Sequence, residues 1–144
     1  MLWCGTPSPT GFMELCLHKT ESAEILIVED DESISILLKQ VLELDKYRVE
    51  IVGNGQEALE YLQRGSLPKL IISDLTMPVM DGVEFRKNLL KIPALAKIPF
   101  FLMTADSQFS MKDISLTAEE LIKKPLSIDE ILEKVRVALR TKLK

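Results

Sequence analysis

Residues 70–82 read LIISDLTMPVMDG, and the fold is decided there. The opening run, Leu70-Ile71-Ile72, is apolar, as expected of a central strand covered on both faces in a parallel sheet. It ends on Asp74, after which Pro78 and Asp81-Gly82 mark a loop before a helix carrying Phe85 and Leu89. The same pattern recurs outward along the chain. Ile25-Leu26-Ile27-Val28 runs into Glu29-Asp30-Asp31, Phe100–Met103 runs into Thr104, and a short fifth strand near 120–123 runs into Lys124.

Helical periods separate these runs. Ile34, Leu37, Leu38, Val41 and Leu42 predict a helix over 33–44, with Asp31 at its start. Arg48–Val52 alternates polar and apolar, as an edge strand with one wetter face does. Gly53-Asn54-Gly55 turns into a helix carrying Ala58, Leu59 and Leu62, which Gly65 stops. Pro93 and Pro99 bracket a connection. Residues 107–119 hold Met111, Ile114 and Leu116 without a clean stripe. Ser127-Ile128-Asp129-Glu130 is a capping box opening a last helix. That helix places Ile128, Ile131, Leu132, Val135 and Leu139 on one face and should run to about Arg140.

Strands alternating with helices predict an α/β, doubly wound, three-layer domain: a five-stranded parallel sheet in the order 2-1-3-4-5 with helices on both faces. Residues 1–22 lack periodicity and contain Gly5, Pro7, Pro9 and Gly11. They read as a tail, flexible or introduced by cloning, with the folded domain at 23–144. Hydrophobic residues make up 47% of the chain and the net charge is −4, so bulk electrostatics do not invite nucleic acid. No apolar run approaches the roughly 18 residues of a membrane span, and a cytoplasmic protein is expected. Cys4 and Cys16 both precede the first strand and read as free thiols, and the lone His18 gives no basis for histidine catalysis.

In such a sheet ligands bind beyond the carboxyl ends of the strands. Strands one and three are neighbours, so Glu29 and Asp30 should converge on Asp74. Alone, Glu29-Asp30-Asp31 would read as a solvated turn capping a helix. With Thr104 and Lys124 at other strand ends, the set instead suits a divalent cation and a phosphoryl group. Clustered carboxylates repel, one pKa should rise, and Mg²⁺ with its preference for oxygen ligands relieves the strain. A carboxylate can act as the nucleophile in phosphoryl transfer, where catalysis is mainly positioning and charge neutralisation.

The segments ILIVEDDE (25–32), LIISDLTMPVMDG (70–82), FLMTA (101–105) and IKKPLS (122–127) resemble the receiver domain of bacterial response regulators, whose fold is flavodoxin-like. The resemblance covers about residues 24–141, and the 30-residue separation of Asp74 from Thr104 is the family's. It implies that Asp74 is the phosphoacceptor, and that Asp30 is the direct Mg²⁺ ligand with Glu29 acting partly through water. The Thr76 backbone carbonyl would be another ligand, Thr104 the switch hydroxyl and Lys124 the ion-pairing lysine. Thr76 and Asp106 would tune hydrolysis of the acyl phosphate, and Pro125 would follow a cis peptide bond.

Two departures stand out. Leu121 occupies the switch position where the family usually has an aromatic residue, and the stretch from Thr104 to Lys124 is shorter than usual. The implied partners are a sensor histidine kinase or phosphotransfer protein, and a downstream protein docking on the face of helix four, strand five and helix five. Homodimerisation stays open, and neither nucleic acid nor membrane is expected to bind this chain directly. The protein would be a self-modifying switch and not a turnover enzyme. Three alternatives are a receiver-like module working without phosphorylation, the excised receiver of a longer transcriptional regulator, and a haloacid-dehalogenase-type phosphatase. The last wants a second aspartate where Thr76 stands.

Overall fold

The computed structural model describes residues 23–65, 67–105, 116–117 and 120–143. Five strands, β1 (Ile25–Val28), β2 (Val49–Val52), β3 (Leu70–Asp74), β4 (Phe100–Thr104) and β5 (Leu121–Lys123), form one sheet in the order β2-β1-β3-β4-β5. Every neighbouring pair is parallel. The helices are α1 (Glu32–Leu44), α2 (Gly55–Gln63), α3 (Gly82–Leu90), the short α4 (Pro93–Ala96) and α5 (Ile128–Leu143).

Successive strand residues point to opposite faces, so each strand feeds two cores. Leu26, Val28, Ile71, Phe100 and Leu102 meet Ala58, Leu62, Phe85, Leu89 and Leu95 of α2, α3 and α4. Ile25, Ile27, Leu70, Ile72, Phe101, Met103 and Ile122 meet Leu38, Leu42, Ile131, Val135 and Leu139 of α1 and α5. The doubly wound, five-stranded order expected from the sequence is therefore the one observed, and β3 is buried along its whole length.

Local chemistry explains the helix ends. Asp31 caps α1: its Oδ1 accepts the Ser33 N–H at 2.9 Å and the Ile34 N–H at 3.4 Å. Asn54 and Asp81 do the same for α2 and α3, accepting the Glu57 and Glu84 N–H groups, each at 2.9 Å. Gly65, at φ 94°, takes the left-handed conformation after α2 that favours glycine. The Ser127 hydroxyl accepts the Glu130 N–H at 3.4 Å, as the capping box requires.

Some expectations need correction. The connection between Pro93 and Pro99 contains α4, because Pro93 at the first helical position is pre-set for a turn of helix and Leu95 has a core to enter. α5 reaches Leu143, beyond Arg140. Leu37 and Ile128 were placed on buried faces, but they are 42% and 40% exposed, since the contact stripes of α1 and α5 are narrower than their apolar patterns. Asp106 and most of 107–119 lie outside the described residues, as do residues 1–22.

The loop from Asp74 to α3 folds back tightly. The Gly82 N–H donates to the Leu75 carbonyl at 2.8 Å. A Cβ on Gly82 would collide with the Asp74 carbonyl oxygen and lie 2.8 Å from Leu102 Cδ1, so nothing larger than glycine fits. Gly82→Ala should therefore lower stability by about 1–3 kcal/mol, the usual scale of overpacking, at an unchanged denaturant slope in urea unfolding. A loss below a few tenths would mean that this close approach is not rigid.

Candidate functional site

Four strand ends meet at one edge of the sheet. Register places Val28 beside Ser73 and Asp74 beside Met103, so the residue after β1, Glu29, comes alongside the last residue of β3. The Glu29 N–H donates to the Val52 carbonyl at 3.0 Å, which holds the chain in line before it turns into α1. The adjacent acids then diverge: Glu29 is buried, Asp30 is exposed, and Asp31 is committed to capping α1.

Thr104 ends β4 and is buried, and its carbonyl accepts the Lys124 N–H at 2.9 Å. Just past β5, Lys124 sends its Nζ to 2.9 Å from Asp74 Oδ1 and 3.8 Å from Glu29 Oε1. The Lys124–Pro125 bond is cis. Asp74, Leu75, Thr76, Thr104, Ala105 and Lys124 line a cavity of about 490 Å³. Sequence reading named four of these six; Leu75 and Ala105, which form its apolar wall, were missed. Ala105 was visible as the small residue closing FLMTA.

Glu29, Asp30 and Asp74 each bring a carboxylate oxygen within 4.8 Å of the others, the acidic group of this kind among the described residues. Glu29 Oε1 is buried without a hydrogen bond, its near charge being Lys124 at 3.8 Å. A buried carboxylate oxygen lacking a donor, beside two more hard oxygen donors, fits a divalent cation of the magnesium type. The electrostatics agree. Burial, and then the Asp74 charge, push the Glu29 carboxyl up to about 7, against the pull of the Asp31 N–H and Lys124. Burial works against the Lys124 charge, but its hydrogen bond to Asp74 and the attraction of Asp74 and Glu29 outweigh that and raise its pKa.

Leu121 stands away from the cavity. It is half-buried and packs against the core that contains Phe100 and Leu102. Thr76 is exposed at the cavity's rim.

A parallel doubly wound sheet with acids, a hydroxyl and a lysine at its strand ends defines a class of signalling domain. Residues 25–136 match the family model described as the response regulator receiver domain, and the chain belongs to that family. It is 32% identical over 119 residues to the phosphate regulon transcriptional regulatory protein PhoB of Rhizobium meliloti (strain 1021), covering 81% of this chain and 52% of that protein. The chain thus spans about half the length of that relative. Among solved structures, the receiver domain of a signal transduction histidine kinase from Syntrophus aciditrophicus superposes with a TM-score of 0.74 at 36% identity, covering 83% of this chain and 92% of that one. The chemotaxis response regulator CheY4 of Vibrio cholerae does so with a TM-score of 0.68 at 27% identity, covering 82% and 99%. The family is one of signalling domains of bacterial two-component systems, and its receivers generally bind Mg²⁺ at an acidic pocket. Among the described residues no helix is long and apolar enough to cross a membrane.

The raised Glu29 pKa fixes a pH dependence. Between about 4.5 and about 7 the folded protein keeps a proton that the unfolded chain has lost. Without divalent cation this carboxyl therefore stabilises the fold less as pH rises through that window, with a limiting slope of about 1.4 kcal/mol per pH unit. Urea unfolding in EDTA should show this fall, and Glu29→Gln should flatten it. Equal slopes in the two proteins would remove Glu29 from the account.

Proposed function

We propose that residues 23–144 act as a phosphoacceptor switch, with Asp74 receiving a phosphoryl group from the phosphohistidine of a sensor kinase or phosphotransfer protein. The observation that carries this reading is the Lys124 ammonium, 2.9 Å from Asp74 Oδ1, inside a cluster of three carboxylates. Asp74 is the acid that combines a central position, burial at the cavity floor and a direct cationic partner.

In the transfer an Asp74 carboxylate oxygen attacks phosphorus, the nitrogen–phosphorus bond breaks, and the imidazole leaves with the electron pair. Asp30, Asp74 and Glu29, with the Thr76 backbone carbonyl, would hold Mg²⁺, which supplies charge neutralisation at the transferring group. Asp30 would be the direct ligand and Glu29 would act partly through water. Lys124 shifts its ion pair from the carboxylate to the new phosphoryl oxygens, and the Thr104 hydroxyl donates a hydrogen bond to another. Thr76 and Asp106 tune hydrolysis of the acyl phosphate. The phosphorylated form biases a two-state equilibrium, read by a downstream protein on a face that includes β5 and α5, with Leu121 in the switch position. One transfer followed by slow hydrolysis makes a switch, not a turnover enzyme. The cytoplasm, where kinases of this class present phosphohistidine, is the proposed compartment.

Phosphoramidate tests this directly. With millimolar Mg²⁺ the intact mass should rise by one phosphoryl group, Asp74→Asn should abolish the increase, and EDTA should suppress it by at least about tenfold. The Mg²⁺ ion should also raise the midpoint of thermal unfolding, because it binds the folded acidic cluster. No added mass on the wild-type chain would favour a receiver-like module that binds partners without phosphorylation.

A further inference from the structure

Among the described residues, Arg86 is the one buried charged side chain outside the acidic pocket. It projects from α3, and its guanidinium carbon stands 5.0 Å from the centroid of the Phe100 ring, which Phe85 also meets at 5.9 Å. The core that holds Phe100 also takes up Leu116 and Leu121, on either side of the turn that leads into β5. That turn closes on itself: the Glu120 N–H donates to the Thr117 carbonyl at 3.0 Å, and Glu120 Oε1 accepts the Thr117 N–H at 2.9 Å and its hydroxyl at 3.3 Å. Burial pulls the Arg86 pKa down, and the Glu120 charge works in the opposite direction.

A guanidinium is costly to bury, so its retention over the Phe100 ring calls for a use. β5 supplies one. It is three residues long, sits at the sheet's edge and pairs with β4 alone, yet Lys124 follows it directly. With so little ladder of its own, β5 takes its position from what grips its start.

We propose that Arg86 is a positioning residue: stacked on Phe100, whose core also takes up Leu116 and Leu121, it anchors the entry to β5 and so fixes the reach of Lys124 to Asp74. Its effect on phosphorylation rests on the reading of Asp74 above; its effect on β5 does not.

Hydrogen exchange of the full chain, read by mass spectrometry, separates the two. In Arg86→Met, uptake across 116–124 should speed up by about tenfold while peptides from β1 and β3 keep their protection. Arg86→Lys, which retains a cation over the ring, should stay within about threefold of wild type. Phosphorylation by phosphoramidate should slow several-fold in the methionine variant and recover with lysine. Wild-type uptake in Arg86→Met, or lysine performing no better than methionine, overturns the proposal. Should Arg86→Met fail to fold, Arg86→Gln decides, because it removes the cation over the ring while keeping a polar end on the side chain. Faster exchange over 116–124 supports the anchor, and unchanged exchange refutes it. A wild-type chain that accepts no phosphoryl group would defeat the function assigned to Asp74 and leave the exchange result to judge Arg86.

Discussion

Three carboxylates share one strand-end site with a single ammonium, and most of the molecule serves to hold them there. Two of the acids, Glu29 and Asp74, are buried, and Lys124 is shared between them at 3.8 and 2.9 Å. In a partly dry site such charges act more strongly than they would in water and are little screened by salt. One ammonium cannot balance three carboxylates. The site must take up a proton, as the raised Glu29 carboxyl does, or a cation. This imbalance is what makes it responsive: anything adding or removing charge there meets a strong field.

Holding like charges together needs a stiff frame, and the sheet provides it. β1 and β3 lie side by side at its centre, with every residue of both strands buried. Neither can yield to the repulsion without opening two cores at once. The three consecutive acids after β1 show how finely position sets chemistry. Asp31 spends its charge on the α1 N-terminus, where the free N–H groups want an anion, while Glu29 is turned inward and Asp30 stays wet. Identical charge thus yields a cap, a buried acid and an exposed acid.

The sequence disclosed most of this because its signals are local and repeated. Apolar runs ending on Glu29, Asp74, Thr104 and Lys124 declared both the parallel sheet and the site, since parallel strands present all their carboxyl ends on one edge. What stayed hidden depends on tertiary contact. The apolar pattern of α1 includes Leu37, and that of α5 includes Ile128, but only the packing shows that neither is covered. α4 was masked by its prolines, which read as punctuation although Pro93 begins a helix. Arg86 gave no signal at all: on a helix of mixed character, a charged residue is expected to face water, and only the neighbouring Phe100 reveals otherwise.

The acids and the lysine are not held equally well. Glu29 and Asp74 come from central strands, whereas Lys124 comes from a three-residue edge strand with one pairing partner. Edge strands open at lower free energy than central ones, so the ammonium is held less firmly than the Glu29 and Asp74 carboxylates. A phosphoryl group on Asp74 would change the demand on Lys124 first, and the displacement would run backward along β5 to Leu121. Leucine there fills less space than an aromatic ring and has no swinging plane to expose. Movement of β5 would therefore be felt chiefly by the core that Leu121 shares with Phe100, Leu102 and Leu116. Under the proposed phosphorylation of Asp74, the coupling between site and surface would fall on packing beneath β5 and not on the rotation of one side chain.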